Sequence, residues 1–296
     1  MNEPIKHHYI PQFILKNFSF DGKGNVNYYD ITTQKSTAID TRYVFMANNL
    51  YRDEINTPDY PTKLEHDFAA FEAEVSKIIK NKFLIGDKIT LTLEEDAKLR
   101  LFLAIMPLRS ERTKKQFEES NKCDRKFYKT YQRNGNFTDF WKRNLGYIVK
   151  CRSIKEVLNH EKIDHPIKVF LRRDTVNILG MYFAVVECKE NAEFIISDCY
   201  PLVVNEILPN NLPIHMYSVY PISPSRAILL ISVGVTENPQ YLIRFRPSIA
   251  TPPSASENGT YTISVRKIYP EEVKPINTDT YNSSQNGIVY LTKQFE

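Results

Sequence analysis

The sequence predicts an α+β fold: a β-hairpin start, a helical middle and a mostly antiparallel C-terminal sheet. Three observations predict it. A turn signal, "DGKGN" (21–25), is followed by the strand-like "VNYYDI". Residues from 61 onward then repeat apolar side chains at helical spacing. From about residue 167 the chain breaks into short β-branched and aromatic runs separated by Pro, Asn and Ser. The expected organisation is one intertwined domain: a β start over 1–60, a helical, basic part over 61–165 and a β-rich part over 166–296. The first strands are expected to pair with the C-terminal sheet.

Taken in order, Ile5–Ile10 reads as a strand, and Pro11 suits the start of a helix because its missing N–H is unpaired there anyway. Ile10, Ile14 and Phe18 recur on one face. Residues 36–60 read as irregular. Leu64, Phe68, Phe71, Val75, Ile78 and Ile79 form the apolar stripe of a helix beginning near Pro61. Thr92 reads as the cap of the next helix, with Glu94, Glu95 and Asp96 in its first turn and an almost wholly apolar run over 99–108. Pro107 is expected to kink or break it just before Arg109. Further helices run to about 160. "GMYFAVVECK", "PLVVN", "HMYSVYPI", "RAILLISV" and "YTISVRKIY" are the expected strands of the last part, and "NTDTYNSSQNGIVYL" reads as a short helix or irregular segment before a final strand.

Composition narrows the function. With 42% apolar and 25% charged residues the chain is of the soluble globular type. Nine glycines are few, and no glycine-rich nucleotide loop occurs. Cys123, Cys151, Cys188 and Cys199 form no CxxC pair and have no histidine at zinc-ligand spacing, so they read as reduced thiols of a cytoplasmic protein. No apolar run approaches a membrane span, so no membrane partner is expected.

Charge is unevenly placed. Residues 100–173 hold 19 Lys/Arg against 8 Asp/Glu, whereas 1–99 hold 12 against 15 and 174–296 hold 8 against 12. A basic middle between acidic ends points to a polyanionic partner, DNA or RNA. Arg112, Lys114, Lys115, Arg125 and Lys126 are the expected phosphate contacts, with Tyr128 and Trp141 as exposed rings able to stack on bases. The competing expectation makes the aromatics the inner faces of helices with a solvated basic exterior.

Two of six histidines, His7 and His8, stand together in "HHYIPQF" at a strand-to-helix junction. On a strand they point to opposite faces, so one can line a pocket while the other packs or holds backbone. Glu65 and Glu72 share one side of their helix, either as a solvated edge or as carboxylates in a cleft. Arg109, where an apolar helix ends, is suited to an anion or to a salt bridge with Glu65 or Glu72. Asp198 ends the strand "FIISD" and reads either as a site carboxylate or as a turn residue.

These residues carry a resemblance. The opening His7-His8-Tyr9, Pro11, Leu15 and Phe18, the spaced Glu65 and Glu72, Arg109 after an apolar helix, Ser197-Asp198 after an apolar strand, "YPISP" and Asn277 resemble the domain-of-unknown-function 4238 family, a mostly bacterial group. The resemblance implies no established activity. It implies that His7, His8, Glu65, Arg109, Asp198 and Asn277 act as one set. Two functions follow as expectations. One is a phosphodiester hydrolase acting on nucleic acid, set in bacterial conflict with phage. In it His7 or His8 serves as base, His8, Glu65 and Asp198 ligate a divalent metal (Mg or Mn), Arg109 clamps phosphate and Asn277 orients substrate. The other is a non-catalytic module in which the same polar set is structural and the basic surface docks nucleic acid or a protein.

Overall fold

The computed structural model describes residues 5–114, 137–165, 182–207, 213–231 and 259–292, together with 167, 168 and 171. It is a mixed α+β structure, as the sequence predicts. β1 (Lys6–His8) pairs antiparallel with β4 (Met46–Asn48), placing His7 opposite Ala47. Between them lie α1 (Gln12–Lys16), β2 (Asn25–Asp30) and β3 (Lys35–Asp40). The stretch 36–60, read as irregular, therefore contributes strand. β3 is an edge strand exposed along its first four positions, so it carries no alternating apolar pattern and is a strand only because β2 pairs with it.

α2 (Lys63–Ile78) buries Leu64, Phe68, Phe71 and Val75, then widens into a π-type turn over Ile79–Phe83. β5 (Lys88–Thr92), a strand that the sequence reading passes over, alternates Ile89 and Leu91 inward. Thr92 ends β5 and caps α3 (Leu93–Leu108) in a reciprocal arrangement with Glu95. α3 ends at Leu108 with Arg109 as its C-cap, where Pro107 is expected to break it. A proline at 107 leaves the Leu103 carbonyl without its helical donor, and the Tyr220 hydroxyl, 3.1 Å away, donates to it instead. α4 (Phe137–Ile148) and α5 (Ile154–Asn159) follow.

The remaining elements are β6 (Tyr182–Cys188), β7 (Ile196–Ser197), β8 (Leu202–Ile207), β9 (Pro213–Pro221), β10 (Arg226–Ile231), β11 (Thr260–Ile268), α6 (Pro270–Ser283) and β12 (Gly287–Tyr290). A six-stranded sheet has the order β5-β11-β6-β10-β9-β8, antiparallel except where β11 lies parallel to β6. β6 and β10 are buried on both faces. Phe183, Val185, Ile228 and Leu230 join the main core with the helices, whereas Ala184, Val186 and Leu229 pack with Val273 and Ile276 of α6. A four-stranded sheet, β3-β2-β12-β7, joins the two ends of the chain, with Tyr28 opposite Val289. Its register requires glycine at 287, where a side chain would collide with the Tyr28 phenol. No helix among the described residues is long and apolar enough to cross a membrane.

Candidate functional site

α1 and the exposed side of α2 enclose a cleft of about 300 Å³. His8, Gln12, Phe13, Glu65 and Glu72 line it, and Ala69, Ala73 and Ser76 complete the α2 wall, where small side chains leave the space open. The alternation of β1 decides between the histidines. His8 faces the cleft, while His7 turns inward, where its Nδ1 accepts from the Tyr51 backbone N–H at 2.8 Å and its ring stacks on Tyr51.

His8 donates from Nε2 to the Thr41 carbonyl at 3.0 Å. That fixes the tautomer, leaving Nδ1 as acceptor for the Gln12 amide at 3.3 Å. Burial, assisted by Arg109 and His7, lowers the His8 pKa below its ordinary value, so the ring is neutral near pH 7. Glu65 moves the other way: burial, with Glu72 adding to it and Arg109 opposing it, pushes its carboxyl up to about 7. Its Oε2 is buried with no hydrogen-bond partner among the described residues.

Behind the cleft lies Arg109, 1% exposed. It pairs with Glu72 through Nη1, donates from Nη2 to the His8 carbonyl at 2.7 Å and from Nε to the Tyr51 hydroxyl at 3.1 Å. The Tyr51 hydroxyl in turn donates to the Arg109 carbonyl at 2.9 Å. The guanidinium lies 4.1 Å from the Phe68 ring centroid. Arg109 is thus the bolt between β1, α2 and the end of α3. A phosphate clamp needs its fork turned outward, and here the fork faces the protein.

Asp198 and Asn277 are not among the residues that line the cleft, although the Asp198 charge helps to raise the Tyr9 phenol beside His8. Asp198 accepts at Oδ1 from the Ser284 hydroxyl (2.8 Å) and the Gln285 N–H (3.0 Å), and at Oδ2 from the backbone and side chain of Asn286 (3.1 and 2.7 Å). It holds the turn between α6 and β12. Asn277 donates to the Glu193 carbonyl at 2.7 Å and accepts from the Ile195 N–H at 3.3 Å, tying α6 to the segment before β7. The structure therefore brings His8, Glu65, Glu72 and Arg109 together, with His7 behind them, and assigns Asp198 and Asn277 to a separate junction. The expected ligand set His8, Glu65 and Asp198 does not converge, and among the described residues no three His, Cys, Asp or Glu side chains are gathered for a metal.

The basic stretch is only partly described. Lys115, Arg125, Lys126 and Tyr128 lie outside the described residues. Arg112 is exposed and bonds the Cys199 thiol; Lys114 is half-buried. Trp141 corrects the expectation of an exposed stacking ring. It is fully buried, its indole N–H donating to the Leu108 carbonyl at 2.9 Å, because α4 turns its apolar face onto α2 and α3. Several cations that follow it serve the fold, Arg143 pairing with Asp164 and Lys142 bonding the Arg52 carbonyl.

Sequence reasoning missed Gln12, Thr41 and Tyr51. Gln12 had a signal, since it stands four residues after His8 on the first turn past Pro11. Tyr51 and Thr41 had none, because their contacts join segments 44 and 33 residues apart.

Fold and site together define a mixed α+β protein organised around a buried arginine, with a carboxylate-lined cleft open beside it. The chain belongs to the family described as protein of unknown function (DUF4238), whose model matches residues 6–294. No curated protein and no solved structure matches it.

Proposed function

We propose that this protein binds nucleic acid, with its basic middle third holding phosphates and the cleft between α1 and α2 receiving one group of the ligand. The observation that carries the ligand site is Glu65. A buried carboxylate oxygen without a partner works against stability, and a fold that satisfies Arg109, Asp198 and Asn277 so fully leaves Glu65 Oε2 without a donor among the described residues, on a side chain that also lines a cavity. The charge of residues 100–173, 19 basic against 8 acidic, supports a polyanion as the partner. Fluorescence anisotropy with single-stranded RNA and DNA tests this. Affinity is expected to fall steeply with salt, and changing Lys114, Lys115, Arg125 and Lys126 to Glu should flatten the log–log slope by about one unit for each phosphate no longer neutralised. Absence of binding at low salt overturns the reading.

A second reading, phosphodiester hydrolysis, is favoured by one observation: a carboxyl that titrates near pH 7 shares the cleft with a neutral imidazole, a pairing suited to acid–base work. Cleavage assays on RNA and DNA, run with and without Mg or Mn, test it. Activity should inflect near pH 7 and be lost in Glu65→Gln. A wild-type protein that cleaves neither substrate under either condition removes this reading.

A further inference from the structure

We infer that Glu65 is a proton-controlled switch for the cleft: its carboxyl group packs inward while protonated and turns out into the space between α1 and α2 when it ionises. The inference goes beyond the proposed function and does not depend on it.

Geometry sets the problem. Glu65 lines the cleft, yet its Oε2 is closed off from solvent and meets no donor among the described residues. A protonated carboxyl tolerates that position, because only a neutral oxygen goes unpaired. A carboxylate does not, since a buried charge needs a partner. The cation behind the cleft is not free to become one. Arg109 is committed to Glu72, the His8 carbonyl and the Tyr51 hydroxyl, and its guanidinium lies 4.1 Å from the Phe68 ring centroid. Re-pairing it with Glu65 would strand Glu72 instead.

The groups around Glu65 come from each element packed here. β1 brings His8, held neutral by burial, with His7 behind it. α1 offers Gln12 and Phe13, which do not titrate. α2 brings Glu72, the segment after β4 brings Tyr51, and the end of α3 brings Arg109. α4 meets this corner with Trp141, packed against Tyr51. Burial disfavours ionisation of Glu65, Arg109 opposes that effect and Glu72 reinforces it, and the balance brings the carboxyl up to about 7. The proton is therefore exchanged close to neutrality.

Space decides how the charge is relieved. Ala69 and Ala73 follow Glu65 on the cleft side of α2, where about 300 Å³ stands open. A carboxylate turned into that space reaches water. It also stays in the first turn of α2, where Thr62 provides no side-chain cap and the helix dipole favours negative charge. On the acid side the cleft is clear, and its other carboxylate, Glu72, is neutralised by Arg109. On the alkaline side the cleft holds an unpaired negative charge.

The test is a carbon-13 NMR titration of the full chain between pH 4 and pH 9. The Glu65 carboxyl should titrate with a midpoint above about 6, well over the ordinary glutamate value. Nuclear Overhauser contact between the Glu65 methylene protons and the Phe13 ring should strengthen with the same midpoint. In Glu65→Gln, an uncharged isostere, that contact should keep its acid-side strength throughout. The Arg109 Nε–H should stay slowly exchanging at pH 8, because the guanidinium does not move. A Glu65 midpoint below about 6 overturns the inference, as does a Phe13 contact that ignores the midpoint. Loss of the Arg109 Nε–H as Glu65 ionises also overturns it, since the arginine and not the glutamate would then move. Should Glu65→Gln not fold, the wild-type titration decides alone, because the midpoint, the Phe13 contact and the Arg109 signal are all read on the native protein.

Discussion

The cleft between α1 and α2 and the junction between α6 and β12 use the same materials and differ in completeness. At the junction both buried carboxylates are answered. Asp198 accepts from Ser284, Gln285 and Asn286, and Glu193 accepts from the Thr292 N–H with both oxygens, at 2.7 and 2.8 Å. At the cleft Glu72 is answered by Arg109, but Glu65 keeps one buried oxygen without a partner among the described residues. A satisfied carboxylate explains itself by the loop it holds. An unsatisfied one costs about 1–3 kcal/mol for the atom left unpaired, and under the proposed function a ligand in the cavity beside it is what accounts for that cost. Under the proposed function this difference separates scaffold from site within a set of residues that looks uniform along the chain.

The largest effect expected is at the bolt shared by both roles. Arg109→Ala strips Glu72, Tyr51 and the His8 carbonyl of their common partner, and breaking a buried pair in this way costs about 3–5 kcal/mol. Urea denaturation checks it, and a loss under about 1 kcal/mol would show that Arg109 is not structural. Next, Asp198→Ala removes the acceptor for four donors and should cost about 3 kcal/mol by the same measurement. A stable Asp198→Ala protein would break the comparison at its scaffold end.

Glu65→Gln should act in the opposite sense, and its pH dependence sharpens the contrast. The Glu65 carboxyl is raised from 4.5 to about 7, so the folded state prefers it protonated. Below pH 4.5 both states hold the proton and there is no penalty. As pH rises from about 4.5 to about 7 the unfolded chain ionises first and the fold loses stability, by up to about 3 kcal/mol above pH 7. The amide carries no such penalty, so Glu65→Gln should be more stable than wild type by about 2 kcal/mol at pH 8 and indistinguishable from it near pH 4.5. Denaturant midpoints at the two pH values decide it, and a variant less stable than wild type at pH 8 would place Glu65 with Asp198 as scaffold. The smallest effect is Tyr220→Phe, which leaves the Leu103 carbonyl opposite Pro107 without a donor and should cost about 1 kcal/mol.

Much of the fold is legible in the sequence. One buried face writes a 3.6-residue repeat into α2, while α3, β6 and β10, buried nearly all round, are marked by continuous apolar runs. Such marking fails at β3, whose side chains are mostly exposed and therefore unpatterned. Pro107 does disturb α3, as its chemistry requires, but the disturbance is repaired by Tyr220, 117 residues away from Leu103.

For the site the division is similar. Residue type and position alone single out His7 and His8, Glu65, Glu72 and Arg109, and strand alternation requires the two histidines to part. Only the tertiary structure decided that His8 takes the cleft, that Arg109 pairs with Glu72, that Trp141 lies inside, and that Asp198 and Asn277 serve a different junction. The physical reason is common to all of them. A side chain's role depends on which donor, acceptor or ring meets it, and these partners arrive from 101 residues away for Arg109 and His8 and 88 for Asp198 and Asn286. Local sequence carries propensity and burial, but not the identity of a partner brought in by the fold.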